Sequence, residues 1–170
     1  VTDLLDLSQI EQGAISLNIS EVDIHDLVQK SIDNYHLLAK NKNNELIFYK
    51  KIKNSKVNID DIKINQVINN LISNAIKFTE SGKITVSLLE QETSIWIYVK
   101  DTGIGMSEYE LEQLFDESTP FNRVGTREEA GTGLGFMICK KFIELHGGGI
   151  FVESKPNHGS VFKVEIPRSL

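Results

Sequence analysis

The chain has 170 residues, of which 40% are hydrophobic and 25% charged, and a formal net charge of −6. This composition is typical of one globular domain with its own core. The negative charge and the lack of a dense basic patch argue against nucleic-acid binding. No apolar run reaches the roughly 18 residues that span a bilayer, so we expect no membrane contact by this segment. The single cysteine, Cys139, excludes an internal disulfide and favours a reducing, cytoplasmic location.

The first residues, VTDLLDLSQI, include neither an initiator Met nor a basic segment, so we expect a fragment of a longer protein rather than a signal peptide. Apolar residues recur at helical spacing up to Ile10, and Gly13 ends this pattern. The pattern predicts the end of a longer helix. We therefore divide the chain into a helical tail at 1–13 and a globular domain at 14–170.

Hydrophobic periodicity predicts the other elements in chain order. Strands are predicted where β-branched and aromatic residues alternate or cluster, at 15–19, 46–52, 57–59, 83–89, 95–100, 150–153 and 161–166. Helices are predicted where apolar residues recur every three or four positions, at 23–41, after an Asp60 N-cap, at 108–115 and at 134–146. Residues 116–130 are polar and predict a mobile flap. This order indicates an α/β two-layer sandwich, with helices on one face of a mixed, mostly antiparallel sheet.

Three polar residues share one face of the helix that follows Asp60. Asn70, Asn74 and Lys77 are four and seven positions apart, which places their side chains within about 60° of one another at 100° per residue. An amide oxygen of Asn74 suits a hard cation such as Mg²⁺, and the Lys77 ammonium suits a phosphate. The alternative is a solvated polar helix face.

Two glycine-spaced loops follow this helix. DTGIGM begins with Asp101 at the end of an apolar strand, where its carboxylate could accept a hydrogen bond from an exocyclic amino group such as adenine N6. GTGLG, at 131–135, precedes a helix whose N-terminus favours an anion. A plain glycine turn and a flexible hinge are the alternatives for the two loops. Together the three elements predict a metal–triphosphate site. Of the residues outside it, Trp96 is predicted to lie in the core.

These residues resemble a known family. NLISNAIKFT (70–79), DTGIGM, GTGLGF (131–136) and HGGGIFVES with HGSVFKVEIP (within 146–167) resemble the N, G1 and G2 boxes and closing strands of sensor histidine kinases. LLDLSQIEQG resembles the end of the dimerisation and phosphoacceptor region that precedes this catalytic domain. The resemblance implies a Bergerat ATP-binding fold at 14–170, with an ATP lid at about 115–132.

The resemblance also implies residue roles. Asn74 would hold Mg²⁺, and Asn70 and Lys77 would position the triphosphate with it. The other residues implied in nucleotide binding are Phe78, Asp101, Gly103, Gly105, Met106, Arg123, Gly131, Thr132, Gly133, Leu134, Gly135 and Ser160. Asp101 would bind the adenine amino group, Ser160 would reach adenine through water, and Arg123 is a candidate phosphate contact.

Two departures from the family pattern are visible. Phe121 lies farther from Phe115 than in the common FxPF form of the F box. None of the four histidines has the HE-(L/F)-RTP context of the phosphoacceptor, so we expect ATP binding without self-phosphorylation by this segment.

The resemblance implies a protein histidine kinase that transfers the γ-phosphate of Mg·ATP to an upstream histidine. The implied partners are the upstream dimerisation and phosphoacceptor helices and a response regulator receiver domain. The parent protein is a candidate for anchoring in the inner membrane of a bacterium. A related ATPase, or a nucleotide-binding regulatory module, is the alternative. Such ATPases carry Glu where this chain has Asn70, and an amide cannot act as the base that activates water.

Overall fold

The computed structural model describes residues 2–169. Val1 and Leu170, the outer ends of the two predicted domain ranges, lie outside the described residues. In chain order the elements are α1 (Thr2–Glu11), β1 (Ser20–Asp23), α2 (Ile24–Asn41), β2 (Glu45–Lys51), β3 (Lys56–Ile59), α3 (Asp61–Lys77), β4 (Lys83–Glu90), β5 (Ser94–Asp101), α4 (Glu108–Phe115), α5 (Gly135–Leu145), β6 (Gly149–Ser154) and β7 (Ser160–Pro167).

The main sheet has the strand order β2-β4-β5-β7-β6. β2 pairs with β4 in parallel, and the other neighbours pair antiparallel. Alternate residues of β4 and β5, such as Val86 and Ile97, are buried, because successive side chains of a strand point to opposite faces. The helices pack on one face of this sheet, so the predicted two-layer α/β sandwich with a mixed, mostly antiparallel sheet is confirmed.

α3 connects the core to the candidate site. Its N-cap is Asp60, as predicted, whose side chain accepts a hydrogen bond from the Lys63 amide. One face of α3 buries an apolar stripe that includes Ile64, Ile68 and Leu71. Burying each such side chain contributes roughly 1.5–3 kcal/mol, so the stripe fixes the rotation of α3 and directs its polar face away from the core.

The prediction of a strand at 15–19 is wrong. The first strand is β1, which pairs antiparallel with the four-residue β3 from Ser20 opposite Ile59. β3 is too short to pair with earlier residues. In addition, the Asn18 amide donates to Oδ2 of Asp60, 2.9 Å away, and so is directed to a helix cap instead of a strand.

Trp96 was predicted to lie in the core, and this is also wrong. Its neighbours Ile95 and Ile97 point into the core, so Trp96 lies on the opposite face of β5 and is only partly buried. There it stacks on Phe151, with ring centroids 5.8 Å apart. The alternation in β5 therefore outweighs the general tendency of Trp to be buried.

The connection between α4 and α5 contains neither helix nor strand from 116 to 134. We call it the lid segment. It comprises the predicted flap at 116–130 and the first four residues of GTGLG, since α5 begins at Gly135, the last residue of that loop. Among the helices of residues 2–169, none is both long enough and apolar enough to cross a membrane.

Candidate functional site

A cavity of about 320 Å³ lies where α3, the loop after β5, the lid segment and the first turn of α5 meet. Most of the residues singled out in the sequence line it together: Asn70, Asn74, Lys77, Phe78, Asp101, Gly105, Met106, Arg123, Gly131, Thr132, Gly133, Gly135 and Ser160. Among the described residues of that set, Gly103 and Leu134 are not part of the wall. A volume of this size is in the range of small-molecule sites.

α3 supplies a polar wall. Nδ2 of Asn74 donates to Oδ1 of Asn70, 3.1 Å away, which is the contact expected for residues one helical turn apart. Lys77 lies in the last turn, with Nζ 5.1 Å from the ring centroid of Phe78. Desolvation lowers the pKa of the Lys77 ammonium, and Arg123 acts in the same direction, whereas the carboxylate of Glu129 opposes both. The wall offers amide groups and one ammonium to a ligand.

Asp101 contributes a carboxylate to the cavity wall. It is the last residue of β5, and its side chain is buried with only 5% of the residue exposed. Desolvation raises the pKa of its carboxyl, and hydrogen bonds from the backbone of Gly103 and Ser160 counteract this in part. Asp101 pairs with Ser160 across β5 and β7, which explains why two residues so distant in sequence line one cavity.

The glycines of DTGIGM permit close backbone packing. A Cβ on Gly103 would overlap the carbonyl oxygen of Phe78. Gly105 has φ of +64°, in the left-handed region, and a Cβ there would overlap the carbonyl of Lys155. Gly103 does not line the cavity itself, but its amide donates a 2.9 Å hydrogen bond to Oδ1 of Asp101 and so helps to orient that carboxylate.

Arg123 of the lid segment bridges two elements. Its Nη2 donates to the carbonyl oxygen of Gly105 at 2.9 Å, and its Nε lies 3.1 Å from Oε1 of Glu110 in α4. The guanidinium also lies over the Phe78 ring, 5.0 Å from its centroid. With these partners Arg123 holds the lid segment against the loop that follows β5.

The first turn of α5 closes the cavity on the side of α3. A Cβ on Gly135 would overlap the Asn70 amide, so this glycine allows α5 to approach α3 closely. Leu134, singled out in the sequence, is buried in the core beside this turn. The Thr132 hydroxyl donates to Oδ2 of Asp3, 3.2 Å away, which brings α1 to the edge of the cavity.

Several lining residues were missed in the sequence. They are mainly apolar or small residues on elements whose packing brings them to the cavity, namely Ser73, Ala75, Leu114, Phe121, Asn122, Ala130, Phe136 and Phe162, together with the carboxylate residue Asp3. Asp3 carried no signal, because α1 was assigned to a separate tail. Asn122 could have been found from its position in the lid segment, where its amide donates to the Gly131 carbonyl at 2.8 Å.

The cavity wall thus combines a buried carboxylate, amides and an ammonium on α3, and apolar side chains such as those of Met106 and Phe136. The carboxylate can accept from an amino group of a flat ring, and the apolar side chains can cover the faces of that ring. The ammonium, the amides and the N-terminus of α5 can bind an anion. These properties are those expected of a nucleotide site.

Comparison with known proteins gives the same result. The family described as histidine kinase-, DNA gyrase B- and HSP90-like ATPases matches residues 59–170. The chain is 37% identical over 174 residues to the autoinducer 2 sensor kinase/phosphatase LuxQ of Vibrio vulnificus strain YJ016, and 38% identical over 171 residues to the sensor histidine kinase RcsC of Escherichia coli strain K12. These alignments cover 98% of this chain but 20% and 18% of the relatives, so the chain spans about one fifth of their length.

Among solved structures, the nucleotide-free catalytic domain of histidine kinase ThkA has a TM-score of 0.77 and 31% sequence identity, and the superposition covers 91% of this chain and 97% of that domain. The family match covers more than half of this chain. The chain therefore belongs to the family of histidine kinase-, DNA gyrase B- and HSP90-like ATPases, as the ATP-binding catalytic domain of a sensor histidine kinase.

Proposed function

We propose that the cavity binds Mg·ATP, with adenine at Asp101 and the triphosphate along α3, and presents the γ-phosphate to a histidine on helices upstream of this segment in the parent protein. The observation that carries the proposal is the shared cavity. Amides and a lysine from α3, a carboxylate from the end of β5 and the glycines that precede α5 line a single volume of about 320 Å³.

At the adenine end, Asp101 would accept a hydrogen bond from the N6 amino group. Its carboxylate is held in place by the Gly103 amide and by its position beside Ser160 in the sheet. Guanine carries a carbonyl where adenine has N6, and a carboxylate cannot donate to that oxygen. The site should therefore prefer ATP over GTP.

At the triphosphate end, the donor set fits Mg²⁺. Nδ2 of Asn74 is used by Asn70, which leaves Oδ1 of Asn74 available at the cavity wall. Mg²⁺ in nucleotide sites takes one or two protein oxygens and completes its shell with water and phosphate, so one amide oxygen is sufficient. A bound Mg²⁺ would supply neutralisation of charge on the phosphate oxygens. Lys77 would contact a phosphate directly.

The same wall favours phosphoryl transfer over hydrolysis. Hydrolysis is helped by a base that activates water, and the position that would hold it in related ATPases is occupied here by Asn70. Oδ1 of Asn70 already accepts from Asn74. Transfer to histidine needs no such base on this domain. The imidazole nitrogen forms the new bond to phosphorus, and the bond to the oxygen bridging the β- and γ-phosphates breaks.

The partners follow from this reaction. The acceptor histidine would be carried by the dimerisation and phosphoacceptor helices of the parent kinase, and a response regulator receiver domain would receive the phosphate next. One structural relative is histidine kinase ThkA in complex with the response regulator protein TrrA, with a TM-score of 0.76 and 27% identity. We propose no nucleic-acid partner. We also propose that this domain acts in the cytoplasm, on the inner side of any membrane that anchors the parent protein.

Calorimetry with Mg·ATP tests the binding step. We expect micromolar affinity that weakens when Mg²⁺ is chelated and also weakens when GTP replaces ATP. The absence of heat with Mg·ATP would refute the proposed site. Steady release of phosphate from ATP by this chain would support an ATPase instead.

A longer protein that includes the upstream helices tests the transfer step. We expect acid-labile, base-stable phosphate on that protein after incubation with Mg·ATP, as is typical of phosphohistidine. ATP binding without any such phosphate would contradict the kinase assignment and leave a regulatory nucleotide-binding module.

A further inference from the structure

Lys42, just after α2, is a buried lysine outside the cavity wall. Only 4% of the residue is exposed. Its Nζ donates to Oε1 of Glu129 in the lid segment at 2.7 Å and to the carbonyl oxygen of Lys77 at 2.9 Å. Burial of an ammonium is costly unless the charge is paired and hydrogen-bonded. The ion pair with Glu129 therefore offsets the cost of burying the Lys42 ammonium, a cost that a typical surface salt bridge does not have.

The Lys77 carbonyl oxygen also accepts a hydrogen bond from a turn of the lid segment at 125–129. The Thr126 amide donates to this oxygen at 3.0 Å, and the Gly125 amide donates to the Glu129 carbonyl at 3.0 Å, which closes the turn. The last carbonyls of a helix have no partner within the helix. Here the C-terminus of α3 is capped jointly by Lys42 and by the docked turn.

The charge state of Glu129 suits this contact. Partial desolvation raises the pKa of its carboxyl, but hydrogen bonds from Lys42 and from the Arg127 amide outweigh that effect and lower the pKa to about 2. Arg127 adds a second, more exposed ion pair with Glu80, at 2.7 Å. Exposed pairs contribute little on average, so the Lys42 pair is the stronger of the two ion pairs of the turn.

The docked turn lies between two stretches of the lid segment that line the cavity. Arg123 precedes it and Gly131 follows it, and both belong to the wall. Gly131 lies so close to Nζ of Lys77 that a Cβ on it would be 2.7 Å from that atom. Displacement of the turn would therefore move both stretches away from the triphosphate end of the cavity.

We propose that Lys42 and Glu129 are positioning residues that hold the lid segment over the cavity. Neither residue is required to touch the nucleotide. The pair fixes the turn at 125–129 on the end of α3, so that the wall formed by the lid segment is in place before ATP arrives. The inference deepens the proposed function and rests on it where nucleotide affinity is concerned.

Hydrogen exchange in the absence of nucleotide tests the attachment itself. Glu129→Gln keeps the size of the side chain and removes its charge. We expect the Thr126 amide to exchange about tenfold faster in this variant, while amides of α3 near Ile68 keep their protection. Glu128→Gln is the matched control, because it removes the same charge from an exposed neighbour, and it should leave exchange unchanged. Equal exchange of the Thr126 amide in Glu129→Gln and in the unsubstituted protein would overturn the proposal.

A double-substitution cycle tests the pair. Lys42→Met and Glu129→Gln should each weaken Mg·ATP binding several-fold. The double variant should bind no more weakly than either single variant, because both substitutions remove the same ion pair. Glu129→Asp should restore part of the affinity. Additive losses in the double variant would refute the pairing. If the unsubstituted protein binds no Mg·ATP, the proposed function fails, whereas the exchange experiment still decides whether the pair holds the lid segment.

Discussion

Nδ2 of Asn74 donates a hydrogen bond to Oδ1 of Asn70, one helical turn earlier in α3 and 3.1 Å away. The bond orients both amides without help from a ligand. It uses one N–H of Asn74 and one of the two acceptor positions of the Asn70 oxygen, and Oδ1 of Asn74 takes no part in it. Because Asn74 also lines the cavity, this oxygen is the atom that we assign to a cation.

Asn74→Ala removes the oxygen that we assign to Mg²⁺. We expect Mg·ATP affinity to fall by at least about 10- to 100-fold, which is the loss typical when a residue that only supports a metal ligand is removed. Binding of ADP without Mg²⁺ should change far less, because Asp101 and the apolar wall remain. Calorimetry with and without Mg²⁺ separates the two effects.

Asn34→Ala is the control for this substitution, since Asn34 is exposed on α2 and loses the same amide. Equal losses with and without Mg²⁺ in Asn74→Ala would contradict a metal role for Asn74.

Asp101→Asn keeps the shape of the side chain but replaces a charged acceptor by an amide. A hydrogen bond to a charged group contributes about 1.5–3 kcal/mol, so we expect adenine nucleotides to bind roughly 10- to 100-fold more weakly. Calorimetry with ATP and ADP should show the same loss for both, because the contact is to the base. Unchanged binding of both nucleotides would remove Asp101 from the site.

The pH dependence of the same contact is also predictable. Desolvation raises the pKa of the Asp101 carboxyl above the usual 3.8. The carboxylate should therefore take up a proton, and adenine affinity should start to fall, at a higher pH than for an exposed Asp.

Folding stability should change with pH in the direction opposite to adenine affinity. A carboxyl with a raised pKa binds its proton more tightly in the folded state, so its contribution to stability is lost as pH rises from the unfolded to the folded pKa. Affinity and melting temperature measured across this range should both lose the transition in Asp101→Asn. A transition that persists in this variant would assign the titration to another group.

Much of the fold and site could be predicted because the signals are local. The polar face of α3 follows from the spacing of Asn70, Asn74 and Lys77 on a helix whose opposite face is apolar. Likewise, the position of Asp101 follows from the buried strand before it. In both cases a few neighbouring residues determine where the side chain points.

The remaining features depend on contacts between distant residues. Lys42 reaches Glu129, 87 positions away, and nothing near Lys42 in the sequence indicates that its ammonium will be buried. The strand expected at 15–19 failed for the same reason, since β1 is defined by its pairing with β3. Periodicity identifies an apolar face but does not identify its partner.

Gly135→Ala tests the close approach of α5 to α3. Alanine favours a helix over glycine by roughly 1 kcal/mol, so the substitution should not destabilise α5 itself. Its Cβ would overlap the Asn70 amide, which must rotate away and lose its bond to Asn74. Because the gain in helix preference and the lost hydrogen bond oppose each other, we expect a melting temperature close to that of the unsubstituted protein, together with weaker Mg·ATP binding. A variant with unaltered affinity would show that the position of Asn70 is not critical.

Asp3→Asn tests the contribution of α1 to the cavity. Asp3 lines the cavity and accepts from the Thr132 hydroxyl, so its carboxylate faces the end at which we place the triphosphate. A like charge near a phosphate opposes binding, and its removal should strengthen ATP binding by about three- to tenfold. The gain should be smaller for ADP, which carries less charge. Calorimetry with both nucleotides measures the difference.

Asp6→Asn is the matched control for Asp3→Asn. It removes the same charge from α1, but Asp6 accepts from Gln66 at 2.9 Å and is not among the described residues of the cavity wall. If the repulsion is local, only the Asp3 variant gains affinity, and the gain persists at physiological salt because the group is close to the site. Equal gains in both variants would instead indicate a general effect of the net charge of −6.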